Sequence, residues 1–156
     1  ATFFITGRFA TKFPDIVKLI AEEGHEIGNH GYSHPHPDKI SKKENQDEIL
    51  KAAEAIYEAS GVETIYFAPP YGEHKPHVVE AAAEIGYKTI MWTVDTVDWD
   101  KNKQPQDIYE KVIKNIQNGA IVLMHPTDRT LTALDNIIKD LQQKGYELVT
   151  LSKLLP

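Results

Sequence analysis

Short runs of β-branched and aromatic residues alternate along this chain with longer stretches whose apolar positions recur every third or fourth residue. The short runs, residues 2–6, 25–28, 64–68, 87–93, 120–124 and 147–150, mostly lack the in-and-out alternation of a half-exposed strand. They predict strands buried on both faces, as in a parallel sheet. The longer stretches predict helices, and their ends carry recognisable signals. Ser41 followed by Glu44 reads as a capping box that opens a helix running to Ser60 and stopping at Gly61. Its Ile49, Leu50, Ala53, Ile56 and Tyr57 are expected on one buried stripe. Pro76 and Pro105 suit first helical positions, and Gly86 and Gly119 lie beyond the far ends. A shorter helix over residues 14–23 precedes Gly24. The last helix carries Leu131, Leu134, Ile137, Ile138 and Leu141 ahead of Gly145.

Strands alternating with helices of this length mean βαβ units, and therefore an α/β fold with a parallel sheet. The pattern alone leaves an open doubly wound sheet and a closed barrel equally open. No repeat, low-complexity tract or linker divides residues 1–156, which read as a single domain. The chain begins inside its first strand with no cap or polar lead-in, as expected of a domain interrupted at its N-terminus.

Charge and composition remove several classes of function. A formal charge of −6, with basic residues scattered in no run longer than Lys42-Lys43, argues against a nucleic-acid partner and against a polybasic membrane patch. No apolar stretch approaches a membrane span. The absence of cysteine excludes a thiol nucleophile and a thiolate metal site. Gly24 and Gly28 follow a helix rather than a strand, so the glycine-rich turn of a nucleotide site is missing.

Four motifs follow predicted strands, where α/β folds build their sites. His30-Gly-Tyr-Ser-His34 places two imidazoles on one loop, since Gly31 and Pro35 disfavour a helix, and imidazole is a common zinc ligand. His36, close by, reads as a solvent-facing neighbour. Phe67-Ala-Pro-Pro-Tyr71-Gly is a stiff turn whose prolines fix φ and leave later amides for a ligand. In Asp95-Thr-Val-Asp98-Trp99, Asp98 either orients a histidine or caps a turn, and Trp99 either walls off a reacting group or packs under the next helix. Asp95 looks like a local turn carboxylate. Leu123-Met-His125 ends the most apolar strand, with a histidine suited equally to general acid catalysis or to a satisfied place in the core.

The order of these motifs, from Ala1-Thr-Phe-Phe-Ile-Thr-Gly7 to the closing Lys144-Gly-Tyr-Glu-Leu-Val-Thr-Leu-Ser152, resembles the NodB-homology polysaccharide deacetylases, carbohydrate esterase family four. The resemblance implies a distorted (β/α) barrel of mostly parallel strands with outer helices, acting on N-acetylglucosamine polymers, peptidoglycan foremost, outside or on the surface of the cell. It implies that His30 and His34 hold a divalent metal, zinc first. His125 would be the general acid, oriented by Asp98. Trp99 and Leu123 would form an apolar wall around the acetyl methyl. Pro70 and Tyr71 would line the substrate, with the Tyr71 N–H helping to stabilise the oxyanion.

The chain departs from the family pattern in three places. The family's Asp-Asp pair, which supplies a base and a third metal ligand, occurs nowhere here; the expectation is that it lies upstream of Ala1 with the first strand and helix. Ala68 stands where the family has an arginine that pairs with the base, and such a loss costs a few kcal/mol of transition-state stabilisation. Gly31 stands where the family often has Ser or Thr. The resemblance thus implies a metal-dependent N-deacetylase attenuated by Ala68, or a weakly active or inactive relative that binds glycans. The same apparatus would also suit O-acetyl esters.

Overall fold

The alternation of runs gives the expected α/β architecture, seen in a computed structural model that describes residues 1–155. The chain forms two compact units, Ala1–Met91 joined by the segment from Thr150, and Trp92–Val149. The first unit contains β1 (Thr2–Ile5), α1 (Gly7–Lys12), α2 (Pro14–Glu22), β2 (Glu26–Asn29), α3 (Lys42–Ser60), β3 (Tyr66–Phe67), α4 (Pro76–Glu84) and β4 (Lys88–Thr89). The second contains β5 (Val94–Asp95), α5 (Pro105–Asn115), β6 (Val122–Leu123) and α6 (Asp128–Gln143). A last short helix, α7 (Leu151–Leu154), returns to the first unit.

The first unit holds a four-stranded sheet in the order β1-β2-β3-β4 with every pair parallel. Ile5, Asn29, Phe67 and Thr89 face one another across its carboxyl end, so the chain leaves each strand along one edge. That edge is where the histidine loop and the proline turn begin. In the second unit β5 and β6 are also parallel, with Asp95 opposite Leu123. Burial on both faces holds for β2 and β3, but not for β1 or β4, whose Phe3 and Lys88 are exposed.

Two strand expectations change. The run over 87–93 divides, because β4 pairs with β3 whereas Thr93 and Val94 both donate to the Ile121 carbonyl and start the second sheet. Residues 147–150 form no strand. Tyr146 N–H turns back to Leu141, and the Leu151 N–H goes to the Thr2 hydroxyl, so no ladder lies alongside. Helix α1, absent from the sequence pattern, is short and is capped by the Thr6 side chain, which accepts from Phe9 N–H.

Helix α3 starts with the expected capping box, Ser41 and Glu44 bonding each other's backbone N–H, and ends at Gly61. Its buried face is Asn45, Ile49, Ala52, Ala55 and Ile56, not the predicted stripe. Leu50 and Tyr57 lie one position, roughly 100° of helix rotation, past Ile49 and Ile56 and point outward. Ile56 joins Ile5, Ala10, Val17, Ile27 and Ala55 in one core cluster, while Ile49 packs with Phe67, Val78 and Ala82 in another. The second unit has its own core of Ile108, Val112, Ala133, Ile137 and Leu141. Leu131, expected on that face, is exposed in the first turn of α6.

Candidate active site

Asn29 ends β2 fully buried, and its side chain organises the loop beyond that strand. Its amide donates to the Ile49 carbonyl at 2.8 Å, and its carbonyl accepts from Gly31 N–H at 2.9 Å. Gly31 has φ +73°, a conformation that penalises any side chain, which accounts for glycine where the resembling family often has Ser or Thr. Tyr32 is then wedged against the start of α1, where a Cβ on Gly7 would lie 2.2 Å from its ring. His34 also adopts positive φ, +60°.

The loop brings the His30 and His34 rings to a centroid separation of 4.9 Å, edge to face. His30 Nδ1 lies 2.6 Å from the Ala68 carbonyl. A carbonyl only accepts, so Nδ1 carries the proton and Nε2 the ring's lone pair. That tautomer and that proximity fit a divalent cation, and nitrogen donors suit zinc. The fit is incomplete in number, because the described residues contain no group of three His, Asp or Glu placed to hold an ion.

The proline turn packs onto the same loop. Pro70 is buried, Tyr71 has φ +58°, and Gly72 and Glu73 donate back to Pro69 and Pro70. The Tyr71 ring meets the His34 ring edge-on at 4.7 Å and stacks on His36 at 4.0 Å. His36 is therefore no mere solvent-facing neighbour: its Nδ1 lies 2.8 Å from the Glu73 carboxylate. That hydrogen bond, with one from the Asp38 N–H, holds Glu73 below the ordinary glutamate range despite the opposing pull of desolvation. Tyr71 is nevertheless 58% exposed and presents one face outward.

In the second unit, Asp98 is completely buried and accepts three hydrogen bonds. One oxygen takes His125 Nδ1 at 2.7 Å, and the other takes the His125 N–H and the Thr130 hydroxyl, each at 2.6 Å. Desolvation, the largest single influence on Asp98, pushes its pKa up, but the donors outweigh it and the net shift is downward. For His125 the hydrogen bond to Asp98 dominates over desolvation and raises the pKa above 6.5. Val97, a β-branched residue, has φ +56°, an expensive conformation held partly by the Asp95 carboxylate accepting its N–H at 2.8 Å. Leu123 lies in β6 and accepts at its carbonyl from the Thr96 hydroxyl at 2.8 Å. Trp99 is 60% exposed rather than packed beneath a helix.

The first unit thus gathers His30, His34, Pro70 and Tyr71, and the second gathers Asp98 and His125. Sequence reasoning missed the residues that hold them: Asn29, Glu48, Thr130, and Arg129, whose guanidinium donates to the Asp98 carbonyl at 3.1 Å. Thr130 sits three residues after Thr127, which caps α6, and its bond to Asp98 has no local sequence signal. Asn29, placed between a strand and a histidine motif, was the most visible of the four.

Three comparisons bear on this arrangement. Residues 1–90 match the polysaccharide deacetylase family. A peptidoglycan-N-acetylglucosamine deacetylase of Bacillus cereus is 41% identical over 156 residues, covering 97% of this chain and 56% of the relative. The solved structure of a CE4 family pseudoenzyme from Bacillus anthracis superposes with a TM-score of 0.95 at 40% identity, over 100% of this chain and 55% of that one. A mutant of that pseudoenzyme, described as having restored enzymatic activity, gives the same TM-score at 39% identity, covering 100% of this chain and 57% of its own. The chain spans about half the length of the curated relatives it matches.

Proposed function

The chain belongs to the polysaccharide deacetylase family, and from that premise we propose that the protein is a metal-dependent hydrolase. Its substrate is N-acetylglucosamine-containing polysaccharide, peptidoglycan first, which places its work at the cell wall, secreted or surface-bound. The similarity to peptidoglycan deacetylases supports the substrate class. The carrying observation is the pairing of His125 with the buried Asp98. A carboxylate that accepts from both the ring Nδ1–H and the backbone N–H of one histidine fixes the ring's orientation and favours its protonated form. That is what a general acid needs in order to give a proton to a departing amine.

In this reading Asp98 orients His125, and Trp99 and Leu123 form the apolar wall beside the acetyl methyl. Pro70 stiffens the turn that offers the Tyr71 N–H to the developing oxyanion. His30 and His34 would hold the metal, zinc by the softness and tautomer of its donors. Bound there, zinc supplies Lewis acidity and a nucleophile at neutral pH. The third protein ligand that hydrolytic zinc ordinarily takes is not among the described residues.

A second reading, a glycan-binding relative with little turnover, is favoured by Ala68 and by the likeness to a pseudoenzyme. Both readings are tested by acetate release from chitooligosaccharide and peptidoglycan, using the full-length protein and Ala68→Arg with zinc or cobalt. We expect weak release that rises by about two orders of magnitude with the arginine. Glycan binding without turnover in either protein, at every metal, would decide for the second reading.

A further inference from the structure

The segment between the two candidate ligands turns at Gly31 and again at His34, and the tie that secures its middle comes from α3. One oxygen of the Glu48 carboxylate accepts from Tyr32 N–H at 2.9 Å and from Ser33 N–H at 2.7 Å. The other accepts from the Ser33 hydroxyl at 2.9 Å. Three donors of the loop therefore converge on one side chain fifteen or sixteen residues away in sequence. Bonds of this kind to a charged acceptor are about twice as strong as neutral ones. The base is rigid, since the next residue, Ile49, is fully buried and its carbonyl is bonded by Asn29. Lys51, one turn along α3, places its ammonium 4.0 Å over the Tyr32 ring. On an accessible loop, water could satisfy the same three donors. What Glu48 adds is order between His30 and His34.

We propose that Glu48 is the positioning residue of the histidine loop, fixing the relation of His30 to His34 so that α3 sets the pair's affinity for a divalent cation. This rests on the reading of His30 and His34 as ligands. Glutamine at this position keeps one carbonyl oxygen for the two N–H groups and an amide for the Ser33 oxygen, but no charge. It therefore separates positioning from electrostatic attraction.

The test is Co²⁺ titration of the full-length protein followed by its visible spectrum, with amide hydrogen exchange at Tyr32 and Ser33 measured without metal. Glu48→Ala should weaken Co²⁺ binding by about tenfold to a hundredfold and speed exchange at both amides. Glu48→Gln should restore most of both, and Glu54→Ala, on the exposed side of α3, should change neither. Wild-type affinity in Glu48→Ala overturns the proposal, as does a Glu48→Gln protein as weak as Glu48→Ala. If the wild-type protein binds no Co²⁺, the ligand reading fails by itself, and exchange then decides: unchanged rates at Tyr32 and Ser33 overturn the positioning role, faster rates support it. Should Glu48→Ala not fold, Glu48→Gln is joined by Ser33→Ala, which removes only the hydroxyl bond. A smaller loss of affinity in that variant supports the proposal, and no loss overturns it.

Discussion

Asp98 is the most constrained polar residue in the second unit, and its energetics stem from its burial. His125 is partly exposed, but removing the buried carboxylate strands the His125 N–H and the Thr130 hydroxyl, so Asp98→Ala should cost about 3 kcal/mol, read from urea unfolding. The cost depends on pH in a definite sense. The folded pKa of His125 lies above 6.5, so its contribution is complete below that value and is lost as pH rises through the raised folded value. The folded pKa of Asp98 lies below 3.8, so its contribution is complete above that value and is lost as pH falls through the lowered folded value. The difference in Tm between wild type and Asp98→Ala should therefore be widest between pH 3.8 and 6.5 and narrow on both sides. A difference flat with pH would remove the charges from the account. Asp98→Asn should lower the His125 pKa, followed by NMR, and, under the proposed function, acetate release should fall by about a thousandfold. His125 and Asp98 were both legible as candidates because each follows a strand end. Thr130 was not, because its partner lies 32 residues away and a threonine after a cap is ordinary.

Helix α3 shows what periodicity conveys and where it slips. Its start was legible because Ser41 and Glu44 carry their own local chemistry, and Ser41→Ala should cost about 1 kcal/mol. Its buried face was misjudged by one position, since a stripe of apolar residues on a helix packed at several sides does not say which edge faces the core. Ile56→Ala should accordingly cost about 3 kcal/mol, while Leu50→Ala and Tyr57→Ala stay within about 0.5, all read from urea midpoints. A large loss in Leu50→Ala would contradict the packing. Strands fared less well. A two-residue ladder such as β3 or β6 is defined by its neighbour, not by its own residues, and the run at 147–150 has the composition of a strand with no neighbour to pair it.

For the molecule as a whole, parallel pairing and the exit of successive strands along one edge were implicit in the alternation of runs, and the family likeness extends over the full chain. The division into two compact units was not, because no linker or change of composition accompanies the crossing from Met91 to Trp92. Net charge makes a whole-chain prediction. With a formal charge of −6 and basic residues in no run longer than Lys42-Lys43, recognition of the neutral glycan of the proposed function should owe nothing to long-range attraction. Chitotetraose affinity measured by calorimetry should change less than about twofold between low and high salt; a steep dependence would point to a charged ligand.

The tether on His30 is made by the main chain of Ala68, not by its side chain. Substitution at that position can thus exchange the side chain while the carbonyl that holds the imidazole is retained. The position where the chain departs from the family arginine also carries, in its main chain, the acceptor that orients a histidine, and a change of side chain leaves that acceptor in place.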